Sequence, residues 1–152
     1  MVVVHAISLP PDEFGGPWVE RLFTNTLDPG AHPYFAGLAG LRVSAHFFID
    51  RRGALCQFVD VCARAWHAGV SRWDGRERCN DFSVGIELEG CDTQPFTVPQ
   101  YAALEAVLLQ LFDRLPGLRA GRVVGHSDVA PGRKTDPGPH FDWARLRRAL
   151  PR

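Results

Sequence analysis

Two imidazoles and one carboxylate give this chain its clearest capacity for chemistry. His5 sits inside an apolar run, where a ring nitrogen needs a partner because unpaired burial of a polar group is costly. His126 follows the short apolar stretch 122–124 and opens a loop rich in proline and glycine; the ends of strands are where sites are built. Asp136 lies further along that loop, between Thr135 and Pro137. Two neutral imidazoles and one carboxylate make a zinc set that leaves a fourth position for water. Asp136 before Pro137-Gly138 equally reads as ordinary turn chemistry, and no H-E-x-x-H pair is present. On these residues alone the turn reading would win. Pro131, Pro137 and Pro139 restrict the loop, and restriction is what holding Lys134 and Asp136 in fixed positions would need.

Glu87 belongs to the run Val84-Gly85-Ile86-Glu87-Leu88-Glu89. Side chains alternate along a strand, so Glu87 and Glu89 share one face and Ile86 and Leu88 the other. One reading is an acidic pair facing solvent; the other is a general base beside a metal. The arginines at 42, 76, 78 and 133 are solvated surface charge on the simplest view. Arg76 and Arg78 share a segment with Trp73 and Asn80, and Arg133 stands next to the candidate ligands, which suggests carboxylate recognition. The guanidinium fork binds carboxylates bidentately.

The elements that must position these residues read as an α/β fold, a mixed central β-sheet flanked by helices. Strands are expected at 2–8, 43–49, 55–59, 83–88 and 122–124, with Arg51-Arg52-Gly53 as a tight hairpin turn. Residues 12–33 read as loop with a short helix at 18–23, and 63–81 as a long functional loop. The plainest helix starts at a Thr97/Gln100 capping box, carries Leu104, Val107, Leu108, Leu111, Phe112 and Leu115 on one face, and stops at Pro116-Gly117. Residues 125–139 read as loop, and Asp142 caps a last helix through Leu150.

A chain of 152 residues is one domain, 1–152, able to bury a core without staples. Seventeen basic and seventeen acidic residues cancel, which argues against an electrostatic grip on nucleic acid or on an anionic membrane. No apolar run reaches the roughly 20 residues of a membrane helix. Met1 to Pro10 lacks the features of a signal peptide, so a cytoplasmic location is expected. Cys56, Cys62, Cys79 and Cys91 form no C-x-x-C pair, and reduced thiols are the default.

Several segments, in order, carry a family resemblance. They are His5-Ala6-Ile7-Ser8-Leu9-Pro10-Pro11, Ser44-Ala45-His46-Phe47, Arg64-Ala65-Trp66-His67-Ala68-Gly69, the stretch from Gly75 to Ser83, Gly85-Ile86-Glu87-Leu88-Glu89-Gly90, Gly125-His126-Ser127-Asp128 and the stretch from Arg133 to Pro139. Together they resemble the zinc-dependent N-acetylmuramoyl-L-alanine amidases of the AmpD type, whose fold is shared with peptidoglycan recognition proteins. The resemblance implies one Zn²⁺ held by His5, His126 and Asp136, and a catalytic pair of Glu87 and Lys134. It also implies a muropeptide site involving Arg42, Trp66, Arg78, Asn80 and Arg133.

The implied reaction is hydrolysis of the amide between N-acetylmuramic acid, in its 1,6-anhydro form for the cytoplasmic branch, and L-alanine. Such an enzyme works in cell-wall recycling, as a monomer, on a small-molecule muropeptide. The alternatives are a recognition module that binds muropeptide without cutting it, or an amidase acting on polymeric peptidoglycan. The full set of ligand and catalytic positions favours the recycling amidase over both. The family commonly has Asn directly after the first ligand, where this chain has Ala6. A lost hydrogen bond behind a ligand weakens metal binding or activity by roughly 10 to 100-fold.

Overall fold

A computed structural model describes residues 1–151. Its strands in chain order are β1 (Val2–Ile7), β2 (Phe47–Ile49), β3 (Leu55–Gln57), β4 (Arg72–Trp73), β5 (Arg76–Glu77), β6 (Val84–Glu89) and β7 (Val123–Gly125). Its α-helices are α1 (Trp18–Phe23), α2 (Val98–Arg114), α3 (His126–Val129) and α4 (Trp143–Ala149). The β-branched start of the chain becomes an inner strand. β1 pairs in parallel with β6 on one side and β7 on the other, in a five-stranded sheet of order β3-β2-β6-β1-β7. β2 runs parallel to β6 and β3 antiparallel to β2, so the sheet is mixed as expected.

Alternation sorts the side chains. Val2, Val4, Val84, Ile86 and Leu88 pack with Leu104, Leu108, Leu111 and Leu146 in the main core, which puts α2 and α4 over one face. Val3, Gly85, His5, Glu87 and Glu89 therefore point to the opposite face, where the chemistry lies. A second core of Leu9, Val19, Leu22, Phe23 and Phe35 holds α1 against the rim of that face. Glu89 is buried rather than solvated, and accepts the Arg51 N–H at 3.0 Å and the Gly15 N–H. The acidic-pair-in-solvent reading of the β6 face is thereby overturned.

α2 begins as its sequence requires. The Thr97 hydroxyl accepts from Gln100 N–H at 3.2 Å and the Gln100 side chain accepts from Thr97 N–H at 3.0 Å. Gln100 is fully buried and also donates to the Glu89 carbonyl at 2.8 Å, tying the helix to the end of β6. Gln100→Ala should cost about 1–3 kcal/mol in denaturant unfolding, because the Thr97 N–H and the buried Glu89 and Ile49 carbonyls lose a partner together. Asp142 caps α4 by accepting the Arg145 N–H at 2.8 Å.

Four expectations are corrected. The strand expected at 43–49 shortens to β2, because Ser44 turns away to bridge Trp66. The strand expected at 55–59 ends at Gln57, with the Phe58 N–H closing the last rung on the His46 carbonyl at 2.9 Å. The stretch 63–81 is not structureless. Asp74 and Gly75 both take positive φ and close a two-residue β4–β5 hairpin, the geometry that Asp-Gly favours. The loop expected at 125–139 opens with α3, and Pro33–Leu38 forms a 3₁₀ helix in a stretch to which the sequence assigns no element. All four cysteines are free.

Candidate metal centre and active site

The parallel register of β1 and β6 places His5 opposite Glu87. Residues paired across a strand share a face, so both side chains enter one space. β7 contributes through its end: Gly125 is followed at once by α3, whose first residue is His126. The Asp136 segment folds back on this corner, with Ser127 N–H donating to the Asp136 carbonyl at 2.9 Å. Gly125 is required there, because a Cβ at that position would stand 2.9 Å from the Pro137 ring and 3.2 Å from Trp143.

His5 Nδ1, His126 Nδ1 and Asp136 Oδ2 converge. The two nitrogens are 2.9 Å apart, and the carboxylate oxygen is 3.2 Å from His5 and 2.9 Å from His126. All three atoms lie within 4.8 Å of one another. His126 Nε2 faces the Ala68 carbonyl at 3.1 Å, so the ring proton is there and Nδ1 presents a lone pair. Two nitrogens and a carboxylate aimed at one point suit a small divalent cation of the zinc type.

Glu87 supplies a second sign of the same kind. It is buried, its Oε1 lies 4.0 Å from His5 Nδ1, and its Oε2 has no hydrogen-bond partner among the described residues. A buried carboxylate oxygen left in this state belongs beside a group that brings its own donor, as a metal-bound water would.

The electrostatics agree. Burial pushes His5 down to about 4, against the pull of the neighbouring Asp136 carboxylate, and so keeps it neutral. Burial also drives His67 well down, with His5, His46 and His126 adding to the effect. Burial would raise Asp136, but the His126 and His5 rings beside it outweigh that and hold the carboxyl below its usual range. Glu87 is raised well above 4.5 by burial and by the Asp136 charge, with Lys134 opposing.

A carboxyl raised by folding stabilises the fold only while protonated. That contribution is present below pH 4.5 and is lost as pH rises through the elevated value. Metal-free Glu87→Gln protein should therefore melt higher than wild type at pH 8, and the two should converge near pH 4. Thermal melts in chelator across that range measure the difference.

The other expected site residues divide. A cavity of about 250 Å³ is lined by Trp66, Glu87, His126, Lys134 and Asp136, with Tyr34 and Leu41 among its apolar walls. Lys134 therefore joins Glu87 and the ligand set. A second cavity of about 710 Å³ shares Trp66 and contains Arg78, Asn80 and Arg133. Trp66 is half-exposed, with the Arg64 guanidinium stacked 3.8 Å from its ring centroid.

Within the second cavity the polar groups are already engaged to different degrees. Arg78 is exposed and pairs with Asp81 at 3.2 Å. Arg133 donates to the carbonyls of Ala68 at 2.6 Å and Val70 at 2.8 Å, which makes it a brace for that segment. Asn80 is buried and its Oδ1 accepts the N–H groups of His67 and Ala68 at 3.1 and 2.8 Å. Arg42 is exposed and lines neither cavity, although its neighbours Leu41 and Val43 line the first.

Ala6 packs against the main core on the face opposite His5, and the outer nitrogen of His5 instead meets His67 Nδ1 at 2.9 Å. The hydrogen bond expected to be missing behind His5 is thus occupied by a residue that sequence reading gave no role. The one signal for it was a histidine next to Trp66 in the long loop.

Comparison with known proteins agrees with this geometry. The N-acetylmuramoyl-L-alanine amidase family model matches residues 1–139. The chain is 62% identical over 147 residues to the 1,6-anhydro-N-acetylmuramyl-L-alanine amidase AmpD of Citrobacter freundii, covering 97% of this chain and 78% of that protein. A crystal structure of selenomethionyl AmpD superposes with a TM-score of 0.96 at 60% identity, covering 99% of this chain and 84% of that one. The amidase AmiD of Escherichia coli, in complex with its substrate anhydro-N-acetylmuramic acid-L-Ala-D-γ-Glu-L-Lys, superposes with a TM-score of 0.71 at 30% identity, covering 97% of this chain and 56% of that one. On strand register, convergent ligand atoms and sequence alike, the chain belongs to the N-acetylmuramoyl-L-alanine amidase family.

Proposed function

We propose that this protein is a zinc amidase that hydrolyses the bond between 1,6-anhydro-N-acetylmuramic acid and the L-alanine of a soluble muropeptide, in cell-wall recycling. The observation that carries the reading is Glu87 opposite His5, with a free buried oxygen beside three convergent ligand atoms. In this reading His5, His126 and Asp136 hold one Zn²⁺. When bound, the ion lowers the pKa of a coordinated water and polarises the amide carbonyl. Glu87 removes the proton from the attacking water and delivers it to the leaving amine, a task suited to a carboxylate whose affinity for protons is raised by burial. Lys134 stabilises the negative charge that develops on the former amide oxygen.

Trp66, Tyr34 and Leu41 offer apolar surface to the compact anhydro sugar. The stem peptide then runs into the neighbouring cavity, where Arg78, exposed and paired with Asp81 through Nε, keeps its terminal nitrogens for a stem carboxylate. Arg133 shapes that wall by holding Ala68 and Val70. We assign the work to the cytoplasm and to a monomer, since soluble fragments rather than the polymer fit a cavity of this size. Among the described residues no helix is long and apolar enough to cross a membrane.

Mass spectrometry of an anhydro-muropeptide incubated with the protein, with and without added zinc, tests the reading. Release of the free stem peptide only with zinc is expected, and no cleavage in either condition would leave the muropeptide-binding module. Arg78→Ala should raise KM more for a diaminopimelate stem than for one ending at D-glutamate, measured on matched substrates. Efficient release of peptides from whole sacculi would move the protein to the wall-degrading class.

A further inference from the structure

We propose that His67 is a positioning residue that dictates which nitrogen of His5 carries the proton, through a directional hydrogen-bond chain running from the backbone of residue 79 to the metal-facing atom. The inference rests on the reading of His5 as a metal ligand, and it concerns a residue outside the ligand set and the catalytic pair.

The chain has one direction because its far end has only one. The Cys79 carbonyl accepts, so the Ser83 hydroxyl 2.6 Å away must donate to it. That spends the hydroxyl proton and leaves Ser83 Oγ an acceptor toward His67 Nε2, 3.3 Å away. His67 therefore carries its proton on Nε2 and presents a lone pair at Nδ1. His5 Nε2 is 2.9 Å from that lone pair, so it must carry the proton, and His5 Nδ1 is left bare toward His126 and Asp136. At His126 the Ala68 carbonyl imposes the same outcome directly. Both imidazoles are thus set to offer Nδ1 before any ion arrives.

The fold builds a place for this ring. Gly85 faces His67 so closely that a Cβ at 85 would lie 2.4 Å from its Cγ. The backbone N–H of His67 is held by Asn80. The neighbouring His46 cannot redirect the chain, because its Nδ1 accepts from Gly85 N–H at 2.9 Å and its Nε2 donates to the Ala63 carbonyl at 3.1 Å. Without the His67 lone pair, the Asp136 carboxylate 3.2 Å from His5 Nδ1 would draw the proton to that nitrogen, and it would have to leave before a metal could bind.

Zinc affinity, read by competition with a chromophoric chelator, separates positioning from packing. His67→Phe fills the space without an acceptor and should weaken zinc binding by roughly 10 to 100-fold. His67→Gln restores an acceptor and should stay within about threefold of wild type. Equal losses in both variants, or no loss in His67→Phe, would overturn the proposal. ¹⁵N spectra of the metal-free wild type need no variant: His5 should show a pyridine-like Nδ1 and a protonated Nε2, and the reverse would refute the chain even if zinc binds. Failure of wild type to bind zinc, with the tautomers as stated, would instead count against the amidase reading alone.

Discussion

Zinc-loaded Glu87→Ala and Lys134→Ala proteins should each turn over on the order of 100 to 1,000-fold more slowly than wild type, with zinc content and melting behaviour preserved. The two losses have different origins. Glu87 stands on an inner strand, in register with His5, and in the proposed mechanism its removal takes away the group that accepts the water's proton. Lys134 lies on the loop after α3 and lines the same cavity, so its removal leaves the developing oxyanion uncompensated. Neither residue belongs to the convergent ligand set, which predicts unchanged zinc stoichiometry in both. Steady-state rates on an anhydro-muropeptide, paired with elemental analysis of the same samples, make the comparison. Near-normal turnover in both variants would require another base and another oxyanion donor.

The second large effect is loss of the metal itself. His126→Ala or Asp136→Ala leaves two donors where three converge, and stoichiometric zinc should disappear on gel filtration in mild chelator. Asp136 matters beyond its place in the count. It supplies the negative charge of the set, and the His126 and His5 rings beside it hold its carboxyl below the usual range despite burial. Stability offers an independent measure. A ligand at about 1,000 times its dissociation constant contributes about 4 kcal/mol to the folded state. Added zinc should raise the melting temperature of wild type and leave that of either variant where it was. Retention of one zinc per chain in both would reassign the ligands.

Much of this was legible in the residues, for identifiable reasons. Thr97 and Gln100 mark the start of α2 because both halves of a capping box are local in sequence. β1 was visible as a continuous β-branched apolar run and β6 from the alternation of Val84, Ile86 and Leu88 with Gly85, Glu87 and Glu89. The ligand set and catalytic pair came from a resemblance spread along the chain rather than from spacing, since His5, His126 and Asp136 meet only through β1, β7 and a folded-back loop.

What escaped was long-range or side-chain specific. Glu89 looked solvent-facing, yet the residues that cover it, Gly15 and Arg51, come from remote loops. Asn80 and Arg133 looked like groups awaiting substrate, whereas Asn80 Oδ1 and the Arg133 guanidinium are bonded to the 67–70 backbone. The Asp74-Gly75 turn was a local signal passed over inside a stretch taken whole as loop. His67 acquires meaning only once Ser83 and His5 are seen on either side of it.

The inner place of β1 has a consequence for how the molecule is made. β1 needs two neighbours, and both of them, β6 and β7, are synthesised long after it. Until residues 84–89 emerge, Val2, Val3 and Val4 have neither of their strand partners, and until residues 123–136 emerge, His5 is a lone ligand. Closing contacts this distant in sequence is slow. The nascent chain therefore carries an unpaired, β-branched strand through most of its synthesis, the kind of segment that holdase chaperones shield and that aggregates when they are scarce. Zinc can act only on the finished sheet, sealing a fold that burial of apolar side chains has to assemble first.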